Sequence, residues 1–206
     1  MPEKFELPES AKRVLGLELP TDPRWVDLTE MDLGEILTDH AYCEQKAAAF
    51  CMSLIQRYPD KVELVRELAP IVTEEWGHFR KVMKELKKRG FELGKMRKDE
   101  YVNKLQAFAR KGGTREHQLL EQLLICAMIE ARSCERFRLL SLHINDENLK
   151  DFYHEFMVSE AGHYRLFIDL AESIVPKETV KERWQEYLNF EAEMIQTLEY
   201  RADRMH

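Results

Sequence analysis

The stretches "EEWGHF" at 74–79 and "SEAGHY" at 159–164 spell one pattern twice: Glu, any residue, Gly, His, aromatic. The second copy follows 85 residues after the first. On a helix, residues three apart leave the same face, so Glu75 pairs with His78 and Glu160 with His163. The repeat extends upstream of the motif. Glu44 lies 31 residues before Glu75, and Glu130 lies 30 before Glu160. Each half of the chain thus offers a Glu on one helix and a Glu-x-x-His on the next.

Helical phase supports these choices. Glu44 shares its face with Leu37, Ala41, Ala48 and Cys51, and Glu130 with Leu123, Cys126, Cys134 and Phe137. Glu75 lies between Ile71 and Val82, and Glu160 between Phe156 and Phe167. Each acid sits in a mostly apolar stripe, which marks a core face. Glu135, a rival on the same helix as Glu130, has Arg132 and Arg138 beside it and reads as solvated.

Four buried carboxylates are very costly unless paired, and their repulsion drives some to the neutral form. Divalent cations remove both problems. Two irons bring four positive charges to four carboxylates, and two imidazoles complete the set. The pattern predicts a dinuclear carboxylate site inside a helical bundle, with ligands Glu44, Glu75, His78, Glu130, Glu160 and His163. Manganese accepts the same donors. The mid-helix glycines Gly77 and Gly162 predict close backbone packing beside the site, since each costs about 1 kcal/mol relative to Ala.

No segment alternates with period two, so no sheet is expected and the fold class is all-α. Residues 1–28 hold four prolines and read as a lead-in. Thr29, with Asp32 three residues on, predicts an N-cap and a long helix to Tyr58, stopped by Pro59. A second helix runs to Gly90, with Pro70 expected to kink it or split its start. A short crossover helix near 99–110 follows. Long patterns then run from Thr114 to His143 and from Asp146 to Val175, and a last helix from Lys177 to about 204. The expectation is one domain over 1–206: a four-helix bundle over about 29–175 with an added C-terminal helix.

Charge narrows the function. The whole chain carries −7, yet residues 80–115 hold 13 Lys or Arg against 4 acids, a net +9 that leaves −16 elsewhere. An acidic chain with one basic segment suits local contact with phosphates. The four cysteines, Cys43, Cys51, Cys126 and Cys134, form no Cys-x-x-Cys and read as reduced core thiols. The N-terminus lacks an apolar core for a signal peptide. No apolar run reaches the 18 or so residues of a membrane span. Cytoplasmic location and no membrane partner are expected.

The strings "DHAYCEQKAA", "EEWGHF", "IEARSCERF" and "SEAGHYRLF" resemble the MiaE family of tRNA hydroxylases, members of the ferritin-like di-iron superfamily. The resemblance spans about Val14 to Met194. It implies an O2-dependent monooxygenase that hydroxylates the isopentenyl group of 2-methylthio-N6-isopentenyladenosine, beside the anticodon of tRNA. It also implies two irons on the six residues above, O2 as co-substrate, an external electron donor and an electron-transfer partner. Asp39 and His40 are candidates to orient the ligands. Lys84, Lys87, Lys88, Arg89, Lys95, Arg97, Lys98, Arg110 and Lys111 are candidates for tRNA contact. The alternative is a ferritin-like di-iron protein of other function, a ferroxidase or a hydroxylase of a small apolar substrate. Storage would need a cage-forming surface, a rubrerythrin-like peroxidase a Cys-x-x-Cys iron site, and a non-catalytic RNA-binding scaffold leaves the buried acids unexplained.

Overall fold

A computed structural model describes residues 15–198 and 204–205. Among these residues there are seven helices and no strand: α1 (Arg24–Met31), α2 (Leu33–Arg57), α3 (Val62–Lys88), α4 (Glu100–Phe108), α5 (Arg115–His143), α6 (Glu147–Ile174) and α7 (Lys177–Ile195). They fall into two compact units. One comprises 24–100 with 204 and 205. The other comprises 15–23 with 101–198.

The first unit is built on the α2–α3 hairpin. Its apolar stripes bury Ile36, Leu37, Ala41, Ala48, Cys51 and Leu54 from α2, and Leu64, Leu68, Ile71, Val82 and Leu86 from α3. α3 ends as expected at Gly90, which takes φ +77°, a region glycine enters without penalty. Pro70 lies inside α3 and does not split it. The segment after Gly90 is tied back to α2: the Tyr42 hydroxyl donates to the Gly94 carbonyl (2.9 Å), and Arg97 donates to Glu35.

The second unit is built on the α5–α6 hairpin, with α7 against it and α4 joined to α7. Thr114 and Asp146 cap these helices as their sequence positions suggest, accepting from His117 N (3.2 Å) and Leu149 N (3.1 Å). Phe108 of α4 stacks on Phe190 of α7 with centroids 4.1 Å apart.

Some boundaries differ from expectation. Thr29 is not an N-cap. It lies in α1, where its buried hydroxyl donates to the Val26 carbonyl (2.8 Å). A separate helix thus precedes α2, and Asp32 is the N-cap, its carbonyl accepting from Ile36 N (3.1 Å). The expected lead-in is helical from Arg24, and its first 14 residues lie outside the described ones. α7 stops at Ile195, where Thr197 turns back onto the Met194 carbonyl; of the expected continuation to about 204, residues 199–203 lie outside the described ones. Gly77 and Gly162 are exposed, and a Cβ at either would meet nothing within 4 Å. The expected close packing at these glycines is absent, and nothing in the structure explains why glycine recurs there.

Candidate metal centre

Each hairpin assembles three donors of the same kind. In the first unit Glu44 comes from the middle of α2, and Glu75 and His78 from the middle of α3. His78 Nδ1 lies 3.3 Å from Glu44 Oε2 and 3.4 Å from Glu75 Oε2. In the second unit Glu130 comes from α5, and Glu160 and His163 from α6. His163 Nδ1 lies 3.0 Å from Glu160 Oε2. Within each set, one ligand atom of every residue lies within 4.8 Å of the others. The four acids and His163 are buried, Glu75 to 1% exposure, whereas the His78 side chain keeps 15%.

Two carboxylates and an imidazole at this spacing match the donor preference of iron or manganese, hard oxygens with a borderline nitrogen. The i, i+3 geometry explains the pairing. One helical turn stacks His over Glu, so both side chains converge on one point beside the axis. His40 stands one turn before Glu44, its Nε2 2.8 Å from Glu44 Oε1. It therefore touches a candidate ligand, as a group that orients a metal carboxylate should. Asp39 is engaged by the chain end: its Oδ2 accepts from Met205 N at 2.8 Å, and Arg204 lies 3.8 Å from its Oδ1.

The other buried acids are arranged differently. Glu121 forms a two-point pair with Arg183 (2.8 Å twice) and accepts from the Tyr187 hydroxyl (2.6 Å) and Arg110 N (3.1 Å). Burial alone would raise its pKa, but Arg183, Tyr187 and the Arg110 amide outweigh it and hold the carboxyl below its ordinary value. The same burial, with Glu121 accepting its proton, pushes the Tyr187 phenol upward. Arg132, fully buried, pairs at two points with Glu191 (2.8 and 2.9 Å) and donates to Glu135 (3.0 Å) and the Leu19 carbonyl (2.8 Å). Glu135 is therefore not the solvated residue expected. It is buried, and also accepts from Thr21 N (3.0 Å) and the Thr21 hydroxyl (2.7 Å). Arginine serves these three acids, and histidine stands beside Glu44, Glu75 and Glu160.

All four cysteines are free thiols, three of them buried. Burial first, then Glu160 and Glu135, pushes the Cys134 thiol up to about 12. Of the candidate tRNA contacts, Lys84, Lys87, Lys88, Lys95, Lys98 and Lys111 are exposed. Arg89 pairs with Glu85 (2.7 Å), Arg97 with Glu35, and Arg110 with both oxygens of Glu186 (2.7 Å). Among the described residues no helix is long and apolar enough to cross a membrane.

The family described as tRNA-(MS2IO6A)-hydroxylase (MiaE) matches residues 9–206. The chain belongs to this family. Among MiaE relatives, a tRNA 2-(methylsulfanyl)-N(6)-isopentenyladenosine(37) hydroxylase from Pseudomonas putida is 36% identical over 157 residues, covering 76% of this chain and 75% of that protein. A hydroxylase of the same name from Salmonella typhimurium is 28% identical over 93% of this chain and 88% of that one. A solved structure, Protein 43 with aldehyde deformylating oxygenase activity from Synechococcus, superposes with a TM-score of 0.85 at 34% identity, over 94% of this chain and 96% of that one. The fold is all-α and ferritin-like, the class expected from the sequence.

Proposed function

We propose that this MiaE-family chain hydroxylates the isopentenyl group of 2-methylthio-N6-isopentenyladenosine in tRNA, as a cytoplasmic, O2-dependent monooxygenase. The observation that carries the reading is the twin Glu, Glu, His donor set in a chain of this family. We assign two irons to the six residues, one for each set, with manganese as the competing metal. The irons would supply O2 activation, drawing two electrons from an external donor protein.

The remaining roles belong to the chain's own residues. His40 fixes the Glu44 carboxylate, and the turn geometry fixes each histidine over its own Glu. Stripe residues such as Ile71, Phe156 and Phe167 are buried beside the donors and exclude water from them. The exposed lysines between 84 and 111 supply phosphate contacts for a tRNA substrate.

Metal analysis of the purified protein tests the centre, with Glu130→Ala and His163→Ala beside it. About two irons per chain are expected, with loss of the iron absorption bands in both variants. Absence of metal after reconstitution overturns the assignment. Hydroxylation is then read by mass spectrometry of nucleosides from hypomodified tRNA, as the gain of one oxygen. A second reading, oxygenation of a small apolar substrate, is favoured by the likeness to the Synechococcus structure. Turnover of an aldehyde without tRNA turnover would select it.

A further inference from the structure

We propose that the exposed face of α3 from Trp76 to Lys87 binds a single-stranded RNA loop, with one unpaired base stacked on Trp76 and the phosphates held by Arg80, Lys84 and Lys87. The proposal deepens the tRNA reading above and rests on it for the identity of the RNA.

Trp76 opens the argument. It is 46% exposed, whereas Trp25 is buried and Trp184 half-buried. Its position in the first Glu-x-Gly-His copy sets it directly after Glu75. Among the described residues the ring is braced by one aromatic: Phe79 stacks beneath it with centroids 4.9 Å apart and planes 27° from parallel. A braced indole with an open face is a ready stacking platform, and base stacking on aromatics is tolerant of sequence. Gly77 beside it is exposed, so no side chain obstructs the approach.

The cations follow on the same face. At 100° per residue, positions 76, 80, 84 and 87 fall within an arc of about 80°, over about 16 Å of helix. Arg80, Lys84 and Lys87 are all exposed. The acids of α3 beside the row do not neutralise it. Glu85, the one acid of α3 after residue 80, is turned to Arg89 (2.7 Å) and Lys88 (3.6 Å). Glu74, at the other end, lies 3.9 Å from His78 Nε2. A cationic row on a chain of net charge −7 is complementary to a polyanion. The aromatic at its end favours unpaired bases over a duplex, whose bases are already stacked.

The test is fluorescence anisotropy with a labelled anticodon stem-loop RNA across a salt series. It uses the full chain, Trp76→Ala, Trp76→Phe and Lys84→Gln/Lys87→Gln. Trp76→Ala should weaken binding by about 5- to 100-fold with an unchanged salt slope, and Trp76→Phe should recover part of the loss. The lysine pair should lower the slope of log K on log salt by about 1.4, the release expected for two phosphates of a single strand. Circular dichroism confirms that the exposed substitutions leave the helices intact. Unchanged affinity in Trp76→Ala overturns the proposal. So does a face whose variants bind RNA normally but lose reduction by a redox protein, which would make it an electron-donor dock. Failure of the tRNA hydroxylation reading would instead appear as RNA bound at this face with no oxygen gained by the nucleoside.

Discussion

Among the described residues eight acids are buried along the helices, and the cation beside six of them divides those six by role. Glu121, Glu135 and Glu191 lie against arginine, a permanent charge that makes a finished pair. Glu44, Glu75 and Glu160 lie against histidine, a nitrogen donor that suits a metal site beside carboxylates. The Glu121 carboxyl is held below its ordinary 4.5, so its stabilisation is complete above that pH and is lost as pH falls through the lowered value. Glu121→Gln should therefore flatten the acid limb of a stability–pH curve below 4.5. At pH 7 it should cost about 3 kcal/mol, the low end for a broken buried pair, because Arg183 keeps Glu186 at 2.5 Å. Urea melts across pH read both effects, and an unchanged acid limb would contradict the pairing. Arg132→Met should cost about 3–5 kcal/mol, because Glu191 and Glu135 are left without their cation. Replacing both acids with leucine in the same variant should recover most of that loss.

At the scale of the elements, sequence signals with local causes were the legible ones. Thr114, Asp146, Gly90 and Pro176 mark helix ends because a side chain, a positive φ or a missing N–H acts within a few residues. The convergence of the candidate donors within each hairpin is legible for a similar reason: a period of 3.6 places Glu-x-x-His on one face without knowledge of any partner. Thr29 misled because its hydroxyl serves equally well inside a helix, bonded three residues back. Glu135 misled because its partner Thr21 lies 114 residues away, beyond any helical pattern. Mid-helix glycine predicts close packing at Gly77 and Gly162, but both face open space, and that reverses the expected effect of substitution there. Gly162→Ala should raise stability by about 1 kcal/mol through helix propensity alone. A rise in Tm confirms it, and a fall would reveal a close contact at Gly162.

For the whole molecule, the proposed donor sets predict a stability that depends on metal. A folded chain without cations must bury the four carboxylates beside imidazoles that offset only part of their charge, so the native state is the one that gains from metal. Ferrous iron at about 100 times its Kd contributes about 2.7 kcal/mol per site, or about 5 kcal/mol for two. At about 2–4 °C per kcal/mol for a chain of this size, the unfolding midpoint should rise on the order of 10 °C. Anaerobic calorimetry with and without iron, followed by a chelator, measures the shift and its reversal. His163→Ala should unfold normally as the metal-free protein but show a clearly smaller rise. That pattern separates a ligand from a packing residue, since loss of packing lowers the midpoint with or without metal. Equal midpoints with and without iron, in parent and variant alike, would make the repeated Glu-x-Gly-His a packing motif and leave the proposed oxygen chemistry without its centre.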